Sequence, residues 1–199
     1  VADYPFTTLV PNLGVVSLGM ERSFVMADVP GLIEGASEGA GLGFRFLKHL
    51  SRTRLLLHLV DVLPADNSNP IDSAKQIASE LKKFSPSLAA KERWIVLNKV
   101  DLLDEKEVNI LEAALRAELG WKKPIYKISA INQGGCDDLC QQLMESIESH
   151  RQKIIDDGDY RKEQSQQEKA MAFEIRRTIE SSKNNRASDD DNWEENWDD

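Results

Sequence analysis

The residues best suited to chemistry in this sequence sit just after strand-like runs. The clearest group is Asn98-Lys99-Val100-Asp101, directly behind the apolar run 94–97. A carboxylate at the end of a parallel strand can accept two hydrogen bonds, from N1–H and from the 2-amino group of guanine. Adenine lacks both donors at those positions, so Asp101 would select guanine, because a mismatched base leaves buried polar groups unpaired. Asn98 would bond the far edge of the base and brace neighbouring loops, while the Lys99 stem covers a face of the ring. Asn and Asp are also common in plain turns after strands, so the tetrapeptide needs corroboration. Ser129-Ala130-Ile131 offers some, since it follows the next strand-like run, 125–128. There a backbone N–H, that of Ala130, could point at the guanine carbonyl oxygen. The triplet is weak alone and gains weight only from its order in the chain.

A second set lies upstream. Asp28-Val29-Pro30-Gly31 follows the strand-like run 23–27. An Asp there can hold a magnesium ion, often through water, and the glycine lets its N–H approach a terminal phosphate. Five of the eleven glycines fall between 31 and 43, so this stretch should be mobile, as a nucleotide-sensing switch requires. An ordinary long loop is the plain alternative. Before the first strand comes Tyr4-Pro5-Phe6-Thr7-Thr8-Leu9-Val10, where a threonine hydroxyl could complete a magnesium shell. Read alone, it would be a solvated loop threonine. The other candidates have bland readings: His58 as a satisfied core histidine, Arg45 and His49 as surface residues of a helix, Trp193 and Trp197 as partner contacts or unstructured tail.

The elements that must position these groups alternate between strand and helix, which predicts an α/β fold. Strands are expected at 15–18 and 23–27, joined by a turn at 19–22, then at 55–60, 94–97 and 125–128. Helical spacing covers 72–84 through Ala74, Ile77, Ala78 and Leu81, then 106–119 with a stop at Gly120, then 137–148 through Leu139, Leu143 and Ile147. Beyond 151 the composition turns to Gln, Lys, Glu and Ser. Met171, Ile175 and Ile179 form only a weak stripe, so 151–199 reads as a flexible, partly helical extension to a domain over 1–150.

At 199 residues and 41% hydrophobic, the chain can bury the core of one domain and carry a short appendage. No apolar run approaches the roughly 18 residues of a membrane span. Seven acids and no base lie in 189–199, which leaves −2 of the net −9 for residues 1–188. The body is thus nearly balanced, and bulk charge does not point to nucleic acid. Cys136 and Cys140 lack the spacing and the histidines of a zinc site and read as reduced thiols.

These segments, in this order, resemble the Obg family of translation-factor-related GTPases, called CgtA in bacteria. The resemblance rests on YPFTTLVPNLGVV at 4–16 and DVPGLIEGASEGAGLGFRFLKHLSRT at 28–53, with NKVD and SAI following, and covers about 1–150. It implies a Ras-like P-loop domain with a mostly parallel sheet flanked by helices. It also implies GTP binding and hydrolysis, Mg²⁺ dependence, and a cytoplasmic monomer acting with the large ribosomal subunit during its assembly and in growth and stress control. By position, Thr8 and Asp28 match magnesium-associated residues. Phe6, Thr7, Thr8, Leu9 and Val10, with Asp28, Val29, Pro30 and Gly31, match phosphate-side elements. Asn98, Lys99, Val100 and Asp101, with Ser129, Ala130 and Ile131, match base-recognition elements. The acidic tail looks like that of several bacterial members.

Two departures bear on function. No G-x-x-x-x-G-K-[ST] phosphate loop occurs in the sequence, nor the strand that leads into it or a glycine-rich N-terminal Obg domain. The chain is therefore expected to be a fragment cut before the first switch, folding poorly and inactive alone. Leu32 stands where Ras-type enzymes place a water-orienting glutamine, so slow turnover is expected, with no residue assigned as catalytic and Glu34 only a candidate for positioning water. Two other readings remain open: a nucleotide-incompetent remnant acting as a protein- or ribosome-binding module, and a relative of the eukaryotic developmentally regulated GTP-binding proteins.

Overall fold

The computed structural model describes residues 12–28 and 50–194, the side chains at 84, 179 and 182–194 excepted. Two strands, β1 (Asn12–Ser17) and β2 (Ser23–Asp28), form an antiparallel hairpin in which Val15 faces Val25. Leu18 N–H closes the turn on Arg22 C=O at 2.9 Å, and Gly19 supplies a φ of 126°. A helical turn at 50–52 leads into β3 (Leu56–Asp61). Then come α1 (Pro70–Phe84), the short α2 (Pro86–Ala90), β4 (Arg93–Asn98), α3 (Glu105–Leu119), β5 (Ile125–Ile128), α4 (Cys136–Asp156) and α5 (Gly158–Glu194). A 3₁₀ turn, Val100–Leu102, joins β4 to α3.

The second sheet is parallel, in the order β3-β4-β5. Parallel strands need covering on both faces, and the alternation in β4 provides it. Ile95 and Leu97 point to one face, where they pack with Val60, Ala74, Val108 and Leu115 from β3, α1 and α3. Trp94 and Val96 point to the other, with Ile128, Leu139 and Leu143 from β5 and α4. The hairpin adds Phe24 and Met26 to this second cluster, and Arg22 grips Glu148 of α4 through two 2.9 Å bonds.

Local sequence explains the element ends. Asn69 caps α1 by accepting from Ile71 N–H at 2.9 Å, with Pro70 opening the helix. Asp104 and Glu107 form a reciprocal capping box on α3, and Gly120 ends it in the left-handed region, φ 58°. The stop expected at Gly120 is therefore observed, and the strand at 125–128 falls where the alternation places it. The other expected elements begin or end within a few residues of expectation, except that α4 continues to Asp156 rather than ending near 148, and the short α2 is not anticipated by the sequence.

The largest difference is beyond 151. Where the composition suggested a flexible extension with no core of its own, α5 lies on the domain. Met171 and Ile175 are buried against Leu50, Leu56, Leu81 and Leu88. Glu174 accepts from Ser85 Oγ at 2.6 Å, Ser87 Oγ at 2.7 Å and Ser87 N–H at 3.0 Å. At the corner between α4 and α5, His150 Nδ1 and Tyr160 Oη lie 2.9 Å apart. The stripe is weak because it spends just two buried residues, but they complete an apolar hole left by four leucines.

Candidate functional site

The carboxyl ends of the three parallel strands lie side by side, with Asp61 opposite Asn98 and Asn98 opposite Ile128 in the ladders. Loops leaving such ends converge on one rim, the usual place for a ligand in an open α/β sheet. Here the rim carries Asp61, the segment Asn98–Asp101 and the segment Ser129–Ile131.

Asn98 ties this rim together. Its Oδ1 accepts from Lys99 N–H at 2.8 Å and from Ala130 N–H at 3.1 Å, linking the end of the central strand to the loop after β5. The Ala130 N–H is thus directed at Asn98 here, whereas the sequence suggests that it could point at a guanine carbonyl oxygen. The side-chain carbonyl at the end of β4 lies beside the loop after β5, within reach of that donor. Lys99 takes a left-handed conformation, φ 65° and ψ 31°, which turns the chain sharply out of β4. Leu102 N–H then closes on Lys99 C=O at 3.0 Å. Asp101 sits in this 3₁₀ turn with its side chain exposed. The Lys99 ammonium reaches back to Asp61 Oδ2 at 2.6 Å.

The loop after β5 is held from both sides. Ser129 is buried, donates its N–H to Gly134 C=O at 2.9 Å, and accepts from Asn132 N–H at its hydroxyl, 3.3 Å. Gly135 opens α4 with φ 73°, and a Cβ there would stand 2.3 Å from the Lys127 carbonyl oxygen. Ala130 and Ile131 are exposed at the tip. Cys136, the first residue of α4, and Cys140 are free thiols, and burial pushes the Cys140 thiol up, helped by Cys136 and Asp137.

Asp28 is the last residue of β2, paired with Asn12 and exposed. The partners expected of it lie outside the described residues: Phe6, Thr7, Thr8, Leu9 and Val10, with Val29, Pro30 and Gly31, as do Leu32, Glu34, the glycine-rich stretch, Arg45 and His49. Of the expected magnesium residues, Asp28 is thus placed and Thr8 is not. Among the described residues no group of three or more His, Cys, Asp or Glu side chains could hold a metal. A lone exposed carboxylate still suits magnesium, which takes one or two carboxylates and fills its octahedron with waters and phosphate oxygens.

His58 differs from its bland reading. It is buried, yet neither ring nitrogen has a hydrogen-bond partner among the described residues. Burial, then the Arg93 charge, lowers its pKa to about 4. The ring borders a cavity of about 240 Å³ between β3 and α1, which also touches Asp61, Asp66, Ser68 and Ser73. That cavity lies on the β3 side of the rim, away from Asp101 and Ala130. The apolar run of the sequence ends at 60 and so does not single out Asp61, which the structure places as the last residue of β3. The available signal was its position, since it closes an apolar strand just as Asn98 does.

Comparison with known proteins finds resemblances of two kinds. Residues 1–99 match the model of a family described as 50S ribosome-binding GTPase. Among solved structures, the chain is similar to translation elongation factor SelB from Methanococcus maripaludis, determined in complex with the GTP analogue GppNHp. The TM-score is 0.51 at 18% identity, over 71% of this chain and 28% of that one. The chain thus spans little more than a quarter of that factor's length. The fold is α/β and matches a fragment of a GTPase domain: a parallel three-stranded sheet flanked by helices, with the antiparallel hairpin packed beside it. Among the described residues no helix is long and apolar enough to cross a membrane.

Proposed function

We propose that this chain is part of an Obg-type, Mg²⁺-dependent GTPase that binds and hydrolyses GTP as a switch in large ribosomal subunit assembly and in growth and stress control. Asn98, Lys99 and Asp101 would form the guanine pocket with Ser129, Ala130 and Ile131. Asp28 and Thr8 would hold magnesium. Phe6 to Val10 and Asp28 to Gly31 would face the phosphates. The expected setting is a cytoplasmic monomer that meets the ribosome. The observation that carries this reading is the Asn98 bridge: one amide binds the Asn98–Asp101 loop to the Ser129–Ile131 loop, so two segments 32 residues apart share a rim. The family match and the SelB-like fold support it.

The test is a titration of fluorescently labelled GDP in Mg²⁺ with excess ATP as competitor. Saturable binding that ATP does not displace is expected once the phosphate loop that this sequence lacks is supplied in cis. Asp101→Asn replaces an acceptor pair with one acceptor and one donor, so GDP affinity should fall by about a hundredfold or more. Xanthosine diphosphate, which carries a second carbonyl in place of the 2-amino group, should recover part of it. Equal GDP binding by wild type and Asp101→Asn would sink the assignment. No binding by these 199 residues alone is what the missing phosphate loop predicts, whereas no binding with the loop supplied would leave the protein- or ribosome-binding module as the surviving reading.

A further inference from the structure

Asp61 and Lys99 make the one ion pair on the rim among the described residues, and stability does not account for it. Lys99 is one of four non-glycine residues with positive φ among the described residues, and the other three, Glu21, Asn67 and Gln133, lie in turns off this rim's strand ends. A left-handed lysine carries a steric cost, and fixing its long side chain carries an entropic one. Both partners keep about a third to a half of their exposure, 45% for Lys99 and 32% for Asp61. Ion pairs so exposed contribute little, too little to offset those two costs. Strain retained without a return in stability points to the thing it holds in place.

What is held is the lysine stem. The ammonium is fixed at 2.6 Å from Asp61 Oδ2. The carboxylate cannot follow a wandering lysine, because its Oδ1 accepts from Leu63 N–H at 3.0 Å. Val62 N–H on Asn98 C=O, 3.2 Å, ties the same turn to β4. The four-carbon stem is therefore strung between the end of β3 and the start of the Asn98–Asp101 loop, anchored at both ends.

We propose that Asp61 is a positioning residue for guanine-nucleotide binding: it holds the Lys99 stem extended as the platform on which the purine ring rests. This rests on the guanine-pocket reading above and deepens it. The platform meets the face of the ring and not its edge. Loss of Asp61 should therefore weaken every purine nucleotide that Asp101 admits by the same factor, leaving base choice alone.

Asp61→Asn isolates the effect, because the amide oxygen can still accept from Leu63 N–H while the charge is gone. GDP and inosine diphosphate, which lacks the 2-amino group, are titrated against wild type, Asp61→Asn, Lys99→Met and the double variant. Asp61→Asn should weaken GDP about tenfold, with the GDP-to-inosine-diphosphate ratio and Tm unchanged. The double variant should be no worse than Lys99→Met alone. GDP affinity equal to wild type, or losses that add in the double variant, would overturn the proposal. A second readout needs no nucleotide: acetylation of Lys99 followed by mass spectrometry. It should be several-fold slower in wild type than in Asp61→Asn, and equal rates would show that Asp61 does not hold the lysine. All titrations use protein with the phosphate loop supplied in cis; failure of that wild type to bind GDP would overturn the pocket and the platform together, with acetylation still deciding whether the pair exists.

Discussion

At the scale of single residues, the rim depends on backbone positions that tolerate little change. Gly135 is the strictest. Its φ of 73° disfavours any side chain, and a Cβ would meet the Lys127 carbonyl oxygen at 2.3 Å, backbone against backbone, with no rotamer to relieve it. Gly135→Ala should destabilise by about 3 kcal/mol and lower Tm by roughly 6–12 °C. Gly134→Ala is the control, since its nearest neighbour would be Ser129 Cβ at 4.0 Å. Equal melting of the two variants would refute the argument. Much of this site was legible in the sequence, because Asn98, Asp101 and Ser129 each follow an apolar run and their identities suit a guanine edge. Two details were not. The αL turn at Lys99 belongs to a residue type with no preference for it, so nothing in the tetrapeptide announces it. The direction of the Ala130 N–H depends on Asn98, 32 residues away, and local pattern carries no such information.

At the scale of elements, β3 combines a strand expected from its apolar run with a buried group that nothing in that run explains. His58 shares a face with Leu56 and Val60, and burial holds it neutral down to about pH 4. Since the folded-state pKa lies below the unfolded value of about 6.5, the unfolded chain binds a proton between those values that the fold refuses. Stability should therefore fall as pH drops from about 6.5 to about 4, by an amount on the order of 3 kcal/mol from this residue. His58→Leu has similar bulk and no proton to take, so the gap in urea-unfolding free energy between variant and wild type should widen over that window in favour of the variant. A gap that stays constant with pH would show that His58 gains a partner or a proton in the fold. The short α2 was illegible for a different reason. Its five residues cannot show helical periodicity, and its start is fixed by Ser85, whose hydroxyl accepts from Leu88 N–H at 3.0 Å while donating to Glu174 of a distant helix.

At the scale of the whole molecule, that same Glu174 makes the C-terminal helix part of the domain. Met171 and Ile175 close a cluster that also includes Leu50, just before β3, so one patch joins the helical turn at 50–52, α1, α2 and α5. Lys91 reinforces the junction, donating to Ser51 C=O at 2.9 Å and more weakly to Leu50 C=O, and burial followed by the Arg54 charge lowers its pKa to about 8. Glu174 carries opposing influences. Burial pushes its carboxyl up, but the Ser85 and Ser87 hydrogen bonds outweigh burial and leave it below the ordinary glutamate value. A depressed carboxylate stabilises the docked helix above that ordinary value, near 4.5, and the contribution is lost as pH falls through the folded-state pKa. Two variants separate the apolar from the polar part. Ile175→Ala should cost about 2–4 kcal/mol at any pH, through transfer and cavity terms. Glu174→Gln should loosen the helix at pH 7, and its difference from wild type should shrink as pH falls through the folded-state pKa and wild type itself loses the charge. Amide hydrogen exchange checks both, with faster exchange expected at 86–91 and at 168–178 together, because α2 and α5 protect each other across the Glu174 bonds. If Ile175→Ala left exchange at 86–91 unchanged, α5 would be an appendage resting on a domain complete without it.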